Sequence, residues 1–237
     1  MKIKYAALLM IIALSACKSQ AQINIPPILN SGSGGNLTNE KIIKGLKEAL
    51  TIGTKISAEN ASKMDGFYKN PLIKIPFPKE AEQMEKSLKS IGMSKEVDNF
   101  VKTLNRAAED ASKKAAPVFI DAITKMSITD GLRILKGGNT AATEFLKAGT
   151  TTKLKSEFMP IVRTSLQKVE ITKHWKPLVK NYNKIPFVKK MNPDLNDYVT
   201  TKAIEGLFKL IAEQELKIRK DPQARITDLL KEVFGGK

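Results

Sequence analysis

Hydrophobic residues recur every three or four positions from Leu37 onward, and this spacing predicts amphipathic α-helices. Thr38 suits the N-cap of the first helix, because its hydroxyl can accept a hydrogen bond from a backbone N–H of the first turn. Pro78 suits the first turn of the second helix, and Gly92 its end. The stripes that we expect to face the core are Ile42, Ile43, Leu46, Leu50 and Ile56; Ala81, Met84, Leu88 and Ile91; and, after Ser94, Val97, Phe100, Val101, Leu104 and Ala108.

The second half of the chain keeps the helical period but contains more proline and glycine. Pro117 predicts a break or kink before Val118, and Pro160 predicts another kink. Asp194 suits the N-cap of the most clearly amphipathic helix of the chain. We expect helices at 129–136, 141–147, 151–169, around 175–182, at 195–216, and from Asp221-Pro222 to about 234.

One short segment could form a strand. Residues 72–75 lie between Pro71 and Pro76, in a region dense with Asn, Pro and aromatic residues. We interpret this segment as an ordered, extended loop that lies across the helices. The sequence therefore predicts an all-α fold, a single globular domain of roughly eight to ten helices over residues 37–237.

The N-terminus has the features of an export signal. Lys2 and Lys4 precede an apolar run over 5–14, which is shorter than the ~20 residues of a membrane-spanning helix. Leu14-Ser15-Ala16-Cys17 resembles the lipobox that marks bacterial lipoproteins for acylation, for example with palmitate, and for cleavage before the cysteine. The alternatives are a cleaved signal with an incidental cysteine, or an uncleaved anchor. We favour a signal peptide at 1–16 and lipidation at Cys17, because it is the only cysteine of the chain.

The predicted anchor defines a compartment. Residues 17–36 are rich in Ser, Gln, Asn, Pro and Gly, a composition that cannot bury enough surface to fold, so we expect a disordered tether after the lipidated Cys17. The protein is then expected in the cell envelope, attached to a membrane through acyl chains. Lys18, where an Asp would favour the inner membrane in well-studied bacteria, favours the periplasmic face of the outer membrane.

The net charge of the chain indicates which class of partner it would attract. The formal net charge is +16, and removing residues 1–16 with Lys2 and Lys4 leaves +14. Arginine accounts for only five of the 40 basic residues. Lysine is a well-hydrated point charge that lacks the rigid fork of arginine, so the excess predicts a solvated surface with attraction to anionic lipid or a cell-wall polymer, rather than a reader of nucleic acid.

Few residues suggest catalysis. The single histidine, His174, excludes sites that need two histidines, and acylation would occupy the only thiol. No glycine-rich phosphate loop follows a predicted strand, and no segment has the spacing of a calcium-binding loop, so no cofactor and no metal are expected. Glu213 and Glu215 are two residues apart and point to different sides of a helix. We therefore do not expect an enzyme.

The most specific polar cluster is Asn105-Arg106-Ala-Ala-Glu109. Arg106 and Glu109 are three residues apart and can pair on one helix face. The pair could be an exposed ion pair of little energetic value. It could instead belong to a partly buried polar network, because the small alanines between the two residues allow another helix to approach closely. We treat Asn105, Arg106 and Glu109 as a candidate polar site.

These residues also carry a resemblance. The chain resembles an uncharacterised family of bacterial lipoproteins, catalogued as domain of unknown function 4197, from about Leu37 to Gly235. The resemblance implies a helical exported domain and favours a buried network at Asn105, Arg106 and Glu109, but it implies no activity. The carriers are 45–50, Gly66-Phe67, Asn70-Pro71, 73–76, 105–109, 137–143, 158–162, 198–208 and 211–215.

Two adjacent positions depart from the family pattern. The family has Asp-Asp-Ala-Ala-Thr where this chain has Asn139-Thr140-Ala-Ala-Thr143. If an acidic pair there binds a cation in other members, this chain has lost that site.

Three functions remain open at this point. The favoured hypothesis is a non-enzymatic binding or interaction module, anchored in the envelope and attracted to anionic lipid or a cell-wall polymer. The second is a carrier of an apolar ligand between helices. The third is a hydrolase of envelope polymers that uses Glu109 or Glu213 as acid or base.

Overall fold

The computed structural model describes residues 38–168, 175, 179–180, 183–184, 186–187, 190 and 194–235. Within these ranges it contains eight α-helices and no strand, which confirms the all-α prediction. Contacts group Leu37–Lys237 into one compact unit. The helices are α1 (Asn39–Ser62), α2 (Glu82–Ser90), α3 (Ser94–Ser112), α4 (Ala115–Thr124), α5 (Ile128–Lys136), α6 (Ala141–Gln167), α7 (Leu195–Lys220) and α8 (Asp228–Gly235), with short 3-10 turns at Lys79–Ala81 and Pro222–Ala224.

Several expectations concern other parts of the chain. The predicted signal peptide, Cys17 and the tether lie outside the described residues, as does His174. Most of the helix expected around 175–182 also lies outside them. Among the helices that the structure describes, none combines the length and the apolarity needed to cross a membrane.

Local capping explains where three helices begin. Thr38 accepts a hydrogen bond from the Lys41 backbone N–H, as its position before α1 predicts. Asp194 accepts from the backbone N–H groups of Asn196 and Asp197 at the start of α7. Ser127 and Asp130 form a reciprocal capping box at α5. These starts depend only on neighbouring residues. The caps at Thr38 and Asp194 were predicted from the sequence, but the start of α5 was predicted at 129 and the cap at Ser127 was not predicted.

The two helices expected at 141–147 and 151–169 are one continuous helix, α6. Gly149 does not interrupt it, although glycine within a helix costs about 1 kcal/mol relative to alanine. The buried residues Leu146, Thr150, Leu154 and Phe158 continue one stripe through this position. Burial of that stripe outweighs the low helix propensity of the glycine. α6 also continues past Pro160.

Two proline positions and one core residue also differ from expectation. The helix is interrupted at Lys113 and Lys114, upstream of Pro117. Pro117 itself lies in the first turn of α4, where a backbone N–H has no partner within the helix, so proline loses no hydrogen bond there. Pro222 begins a 3-10 turn, and the last helix starts only at Asp228. Ile91, expected in the core, is 72% exposed because α2 ends before it.

The core lies between α1, α3, α4, α6 and α7, which contact one another along their apolar faces. Leu104, Phe119, Phe158 and Leu207 are fully buried in it. Phe119 meets Phe208 of α7 edge to face, with ring centres 5.8 Å apart. This core forms a rigid support for the loop that joins α1 to α2.

Candidate functional site

The connection between α1 and α2, residues 63–77, is an ordered loop that lies against α3 and α7. Along its second half, Ile73, Ile75 and Phe77 are buried, whereas Leu72, Lys74 and Pro76 are exposed. This alternation is that of an extended chain with one face on a core. The expectation of an extended loop across the helices is confirmed. We call this segment the 63–77 loop.

Asn105 binds the backbone of this loop. It is fully buried at 0% exposure. Its Oδ1 accepts from the N–H of Ile75 at 2.8 Å, and its Nδ2 donates to the carbonyl oxygens of Ile75 and Val101, both at 2.8 Å. The side-chain amide therefore takes the place that a neighbouring strand would have beside an extended segment, and satisfies both polar groups of Ile75.

Glu109 binds the same loop one helical turn later. Its carboxylate is only 3% exposed, and Oε1 accepts from the N–H groups of Phe67 at 3.1 Å and Tyr68 at 3.2 Å. Oε2 accepts from Nη1 of Arg106 at 2.5 Å, while Nη2 of Arg106 donates to Oδ1 of Asp65 at 2.6 Å. Arg106 thus joins two carboxylates, and the buried negative charge of Glu109 is paired.

The turn that precedes these contacts has an unusual backbone. Asp65 has a φ of 66°, in the left-handed region that Asp tolerates better than most residues. A Cβ on Gly66 would collide with the backbone carbonyl oxygens of Asn60 and Ala61, so only glycine fits there. Hydrogen bonds from Lys69 and Arg106 lower the pKa of Asp65 below its ordinary value.

The three residues singled out from the sequence are therefore brought together, in contact with a loop. We call Asn105, Arg106 and Glu109 the α3 network. Every hydrogen-bonding partner described above belongs to the chain itself. Both oxygens of the Glu109 carboxylate are engaged, so the network fixes the 63–77 loop on α3. This geometry favours the buried polar network over the exposed ion pair.

A second buried carboxylate, that of Glu215, holds the start of a helix through backbone N–H groups. Sequence reasoning did not predict this contact. Glu215 of α7 is 7% exposed, and it accepts from the backbone N–H groups of Ala142 at 3.0 Å and Thr143 at 2.9 Å, and from the Thr143 hydroxyl at 2.8 Å. Arg219 pairs with Glu215 through Nε at 2.9 Å and also donates to the carbonyl oxygen of Ile134. We call Glu215 and Arg219 the α7 network.

The α7 network supplies a cap that the local sequence lacks. Thr140 precedes α6 but makes no capping hydrogen bond through its side chain. Glu215 satisfies two of the free N–H groups at that helix start and places a negative charge beside the positive end of the helix dipole. The sequence contained one signal: Glu215 and Arg219 are four residues apart and can pair on one helix face.

The carboxylates considered for catalysis do not form an open pair. Glu213 is exposed on α7, whereas Glu109 is buried in the α3 network. Glu215 points inward to the start of α6. In the described ranges, no group of three or more His, Cys, Asp or Glu residues is placed to hold a metal ion.

A cleft of about 390 Å³ opens between the 63–77 loop and α7. Tyr198, Lys202, Glu205 and Lys209 lie on the same face of α7, since they are four, three and four residues apart. Pro71 to Pro76 form the opposite wall, with Lys79 and Glu80 at the end. We call it the lysine cleft, after Lys74, Lys79, Lys202 and Lys209, which line it.

The polar groups of the lysine cleft are only partly paired. Nζ of Lys202 lies 2.7 Å from Oε2 of Glu205. Lys74, Lys79 and Lys209 make no ion pair in the part of the chain that the structure describes; Nζ of Lys209 donates to the carbonyl oxygen of Leu72 at 3.3 Å. Lys74 lies over the ring of Tyr68, 4.6 Å from its centre. Lys74, Lys79 and Lys209 therefore line the cleft without an ion pair in the described ranges, while the ammonium group of Lys74 lies over Tyr68 and Lys79 is close enough to Glu82 to help lower the pKa of that carboxyl group.

Tyr198 joins the two walls of the lysine cleft. Its hydroxyl donates to the carbonyl oxygen of Pro76 at 3.2 Å. Burial, with the added effect of the Glu80 and Glu205 carboxylates, raises the pKa of Tyr198 to about 12. The phenol is therefore a neutral hydrogen-bond donor at every physiological pH.

Gly206 allows the loop to lie this close to α7. A Cβ at Gly206 would come within 2.7 Å of the Phe67 ring and 3.2 Å of the Ile73 side chain. The absence of a side chain there sets the depth of the lysine cleft. Sequence reasoning did not find this cleft, because it depends on the close approach of segments more than a hundred residues apart.

Comparison with known proteins assigns a family. The model of the family described as protein of unknown function (DUF4197) matches residues 36–235. The chain belongs to this family. No curated protein and no solved structure matches it significantly.

Proposed function

We propose that this protein is a lipid-anchored bacterial envelope lipoprotein whose helical domain is a non-enzymatic binding module for anionic components of the envelope. The observation that carries the proposal is the lysine cleft, a concave surface lined by Lys74, Lys79 and Lys209, none of which forms an ion pair within the part of the chain that the structure describes. Its lining carries four lysines and two glutamates, and a concave surface with such an excess of positive charge attracts anionic ligands. The lipobox-like residues 14–17 and the overall charge of +16 support the envelope setting.

The positions of the acidic residues favour binding over catalysis. A general acid or base needs a carboxylate that can exchange a proton with a bound substrate. Glu109 and Glu215 each use both oxygens to hold backbone N–H groups and an arginine. The hydrolase alternative therefore gains no support from Glu109, and Glu213 lies on an exposed helix face.

The carrier alternative stays a prediction. The buried apolar residues of the described ranges form one continuous cluster that includes Leu104, Leu154 and Leu207. The lysine cleft is instead a surface feature with charged walls. No observation in those ranges points to an apolar ligand.

The proposal is tested by sedimentation of the detergent-solubilised full chain with two probes, phosphatidylglycerol vesicles and a preparation of cell-wall polymer. We expect the protein to sediment with at least one probe at low salt and to be released at high salt, because exposed charges are screened. Neutral phosphatidylcholine vesicles are the matched control and should not retain it. A protein that ignores both anionic probes at low salt would contradict the proposal.

A further inference from the structure

We propose that the lysine cleft is a specific binding site for a phosphorylated sugar unit of an anionic envelope glycan. This inference deepens the proposed function and rests on it. It adds a defined site and a ligand class to what would otherwise be a general attraction between charges.

The unpaired lysines indicate the anionic part of the ligand. Lys74, Lys79 and Lys209 line one cleft and form no ion pair in the described ranges. A phosphate group carries close to two negative charges and three acceptor oxygens, so it can accept from several ammonium groups at once. Lysine binds phosphate as a point charge and needs no fixed fork geometry.

The remaining polar groups indicate hydroxyls. The carboxylates of Glu80 and Glu205 line the same cleft as hydrogen-bond acceptors, and the phenol of Tyr198 is a donor. A bare anion offers these carboxylates no hydrogen-bond donor. A ligand with hydroxyls beside its phosphate donates to them instead. This mixture of cations and acceptors distinguishes a sugar phosphate from a simple anion.

The shape of the lysine cleft limits the size of the ligand. A volume of about 390 Å³ lies near the lower end of the ~300–1,000 Å³ range of small-molecule pockets. Ile73, Pro71 and Pro76 contribute apolar surface to one wall, against which the C–H faces of a sugar ring can pack. The concavity suits a single ligand unit, so a planar membrane could occupy it only through one protruding headgroup.

The wall of the lysine cleft is held in place before any ligand arrives. Asn105 holds Ile75, Tyr198 holds Pro76, and Lys209 holds Leu72, each through a backbone group of the loop. Glu109 holds the start of the same loop through Phe67 and Tyr68. A wall fixed in this way loses little conformational entropy on binding. The α3 network thus positions a binding wall, although it touches no ligand itself.

The test is isothermal titration calorimetry of the detergent-solubilised full chain with glucose-6-phosphate, glucose and inorganic phosphate. We expect glucose-6-phosphate to bind at one site, and glucose and phosphate to bind roughly tenfold more weakly, because each offers only half of the contacts. The double variant Lys74→Gln/Lys79→Gln should weaken binding of glucose-6-phosphate roughly tenfold. Lys55→Gln/Lys147→Gln is the matched control, since it removes the same charge from exposed lysines that do not line the cleft.

Selective weakening in the cleft variant supports the site. Equal weakening in both variants would show a response to overall charge and would overturn the site, while the proposed function stands. Glucose-6-phosphate that does not bind, or binds no better than inorganic phosphate, also overturns it. If the cleft variant lowers binding to phosphatidylglycerol vesicles and glucose-6-phosphate does not compete, the cleft belongs to a lipid headgroup and the inference is wrong. Failure of the proposed function is a different outcome. In that case the wild-type chain would sediment neither with the vesicles nor with the cell-wall polymer.

Discussion

At the scale of single residues, the conspicuous feature is how few groups carry the polar organisation of the domain. Asn105, Glu109 and Glu215 are buried, and each satisfies two or more backbone groups in a distant segment. Buried polar groups are tolerated only when their hydrogen bonds are complete. In each case the side chain satisfies backbone groups that the regular secondary structure around them leaves without a partner.

Asp65 gives a prediction for pH. Its pKa is lowered in the folded protein below the ordinary value of 3.8, chiefly by the hydrogen bond from Lys69 and then by that from Arg106. The stability that it contributes is therefore fully present above the unfolded value and is lost as the pH falls through the folded value. Asp65→Asn should lower the free energy of unfolding at neutral pH, and the difference from wild type should shrink as the pH is lowered below 3.8.

The measurement is urea denaturation of both proteins at neutral and acidic pH. Asparagine tolerates the left-handed backbone of position 65, so the substitution adds no backbone strain. Asp121→Asn is the control, because its carboxylate makes one exposed ion pair with Lys125 and should change stability by no more than about 1 kcal/mol. A difference for Asp65→Asn that stays constant down to acid pH would contradict the role given to its carboxylate.

At the scale of elements, local signals were visible in the sequence and long-range ones were not. The starts of α1 and α7 follow from Thr38 and Asp194, each of which caps the residues beside it. The continuity of α6 through Gly149 depends on core packing, so propensity alone predicted a break. The cap on α6 comes from Glu215, 72 residues away from Thr143, and one sequence does not reveal such a pairing.

Glu215 gives the prediction at this scale. Glu215→Gln removes the charge opposite Arg219 and part of the cap on α6. Breaking a buried pair leaves an uncompensated charge, and Arg219 is only 11% exposed, so we expect a loss of about 3 kcal/mol in the free energy of unfolding. Glu213→Gln is the matched control on the same helix, and its exposed side chain predicts a change within about 0.5 kcal/mol.

Chemical denaturation measures both variants, and amide hydrogen exchange locates the effect. Loss of protection should concentrate in the first turn of α6, at Ala142 and Thr143, whose N–H groups bind Glu215. If the two variants lose equal stability, the α7 network does not hold the helix start, and the cap must come from elsewhere.

At the scale of the whole molecule, the spacing of apolar residues was sufficient to predict the fold class but not to predict the lysine cleft. Apolar spacing predicted an all-α domain because each helix buries one stripe in a common core. It also drew attention to Asn105, Arg106 and Glu109, whose polar side chains interrupt a helix lined with alanine. The lysine cleft was not visible, because Lys74 and Lys209 become neighbours only when Gly206 lets the loop approach α7.

The prediction at this scale concerns Cys17, which lies outside the described residues and whose lipidation rests on the sequence. In the proposed lipoprotein, several acyl chains at Cys17 would hold the domain at a membrane, since each buried methylene contributes about 0.8 kcal/mol. Cys17→Ala should leave the chain unlipidated and unprocessed at the lipobox, and metabolic labelling with palmitate measures this directly. Retention of the Cys17→Ala variant on membranes is compared with that of the wild type after a high-salt wash. The wash is needed because an unprocessed chain of charge +16 can also adhere to anionic membranes. Wild-type protein that incorporates no label and keeps its full-length mass would contradict the anchor and remove the support that it gives to an envelope ligand, whereas the binding of glucose-6-phosphate at the lysine cleft is measured independently.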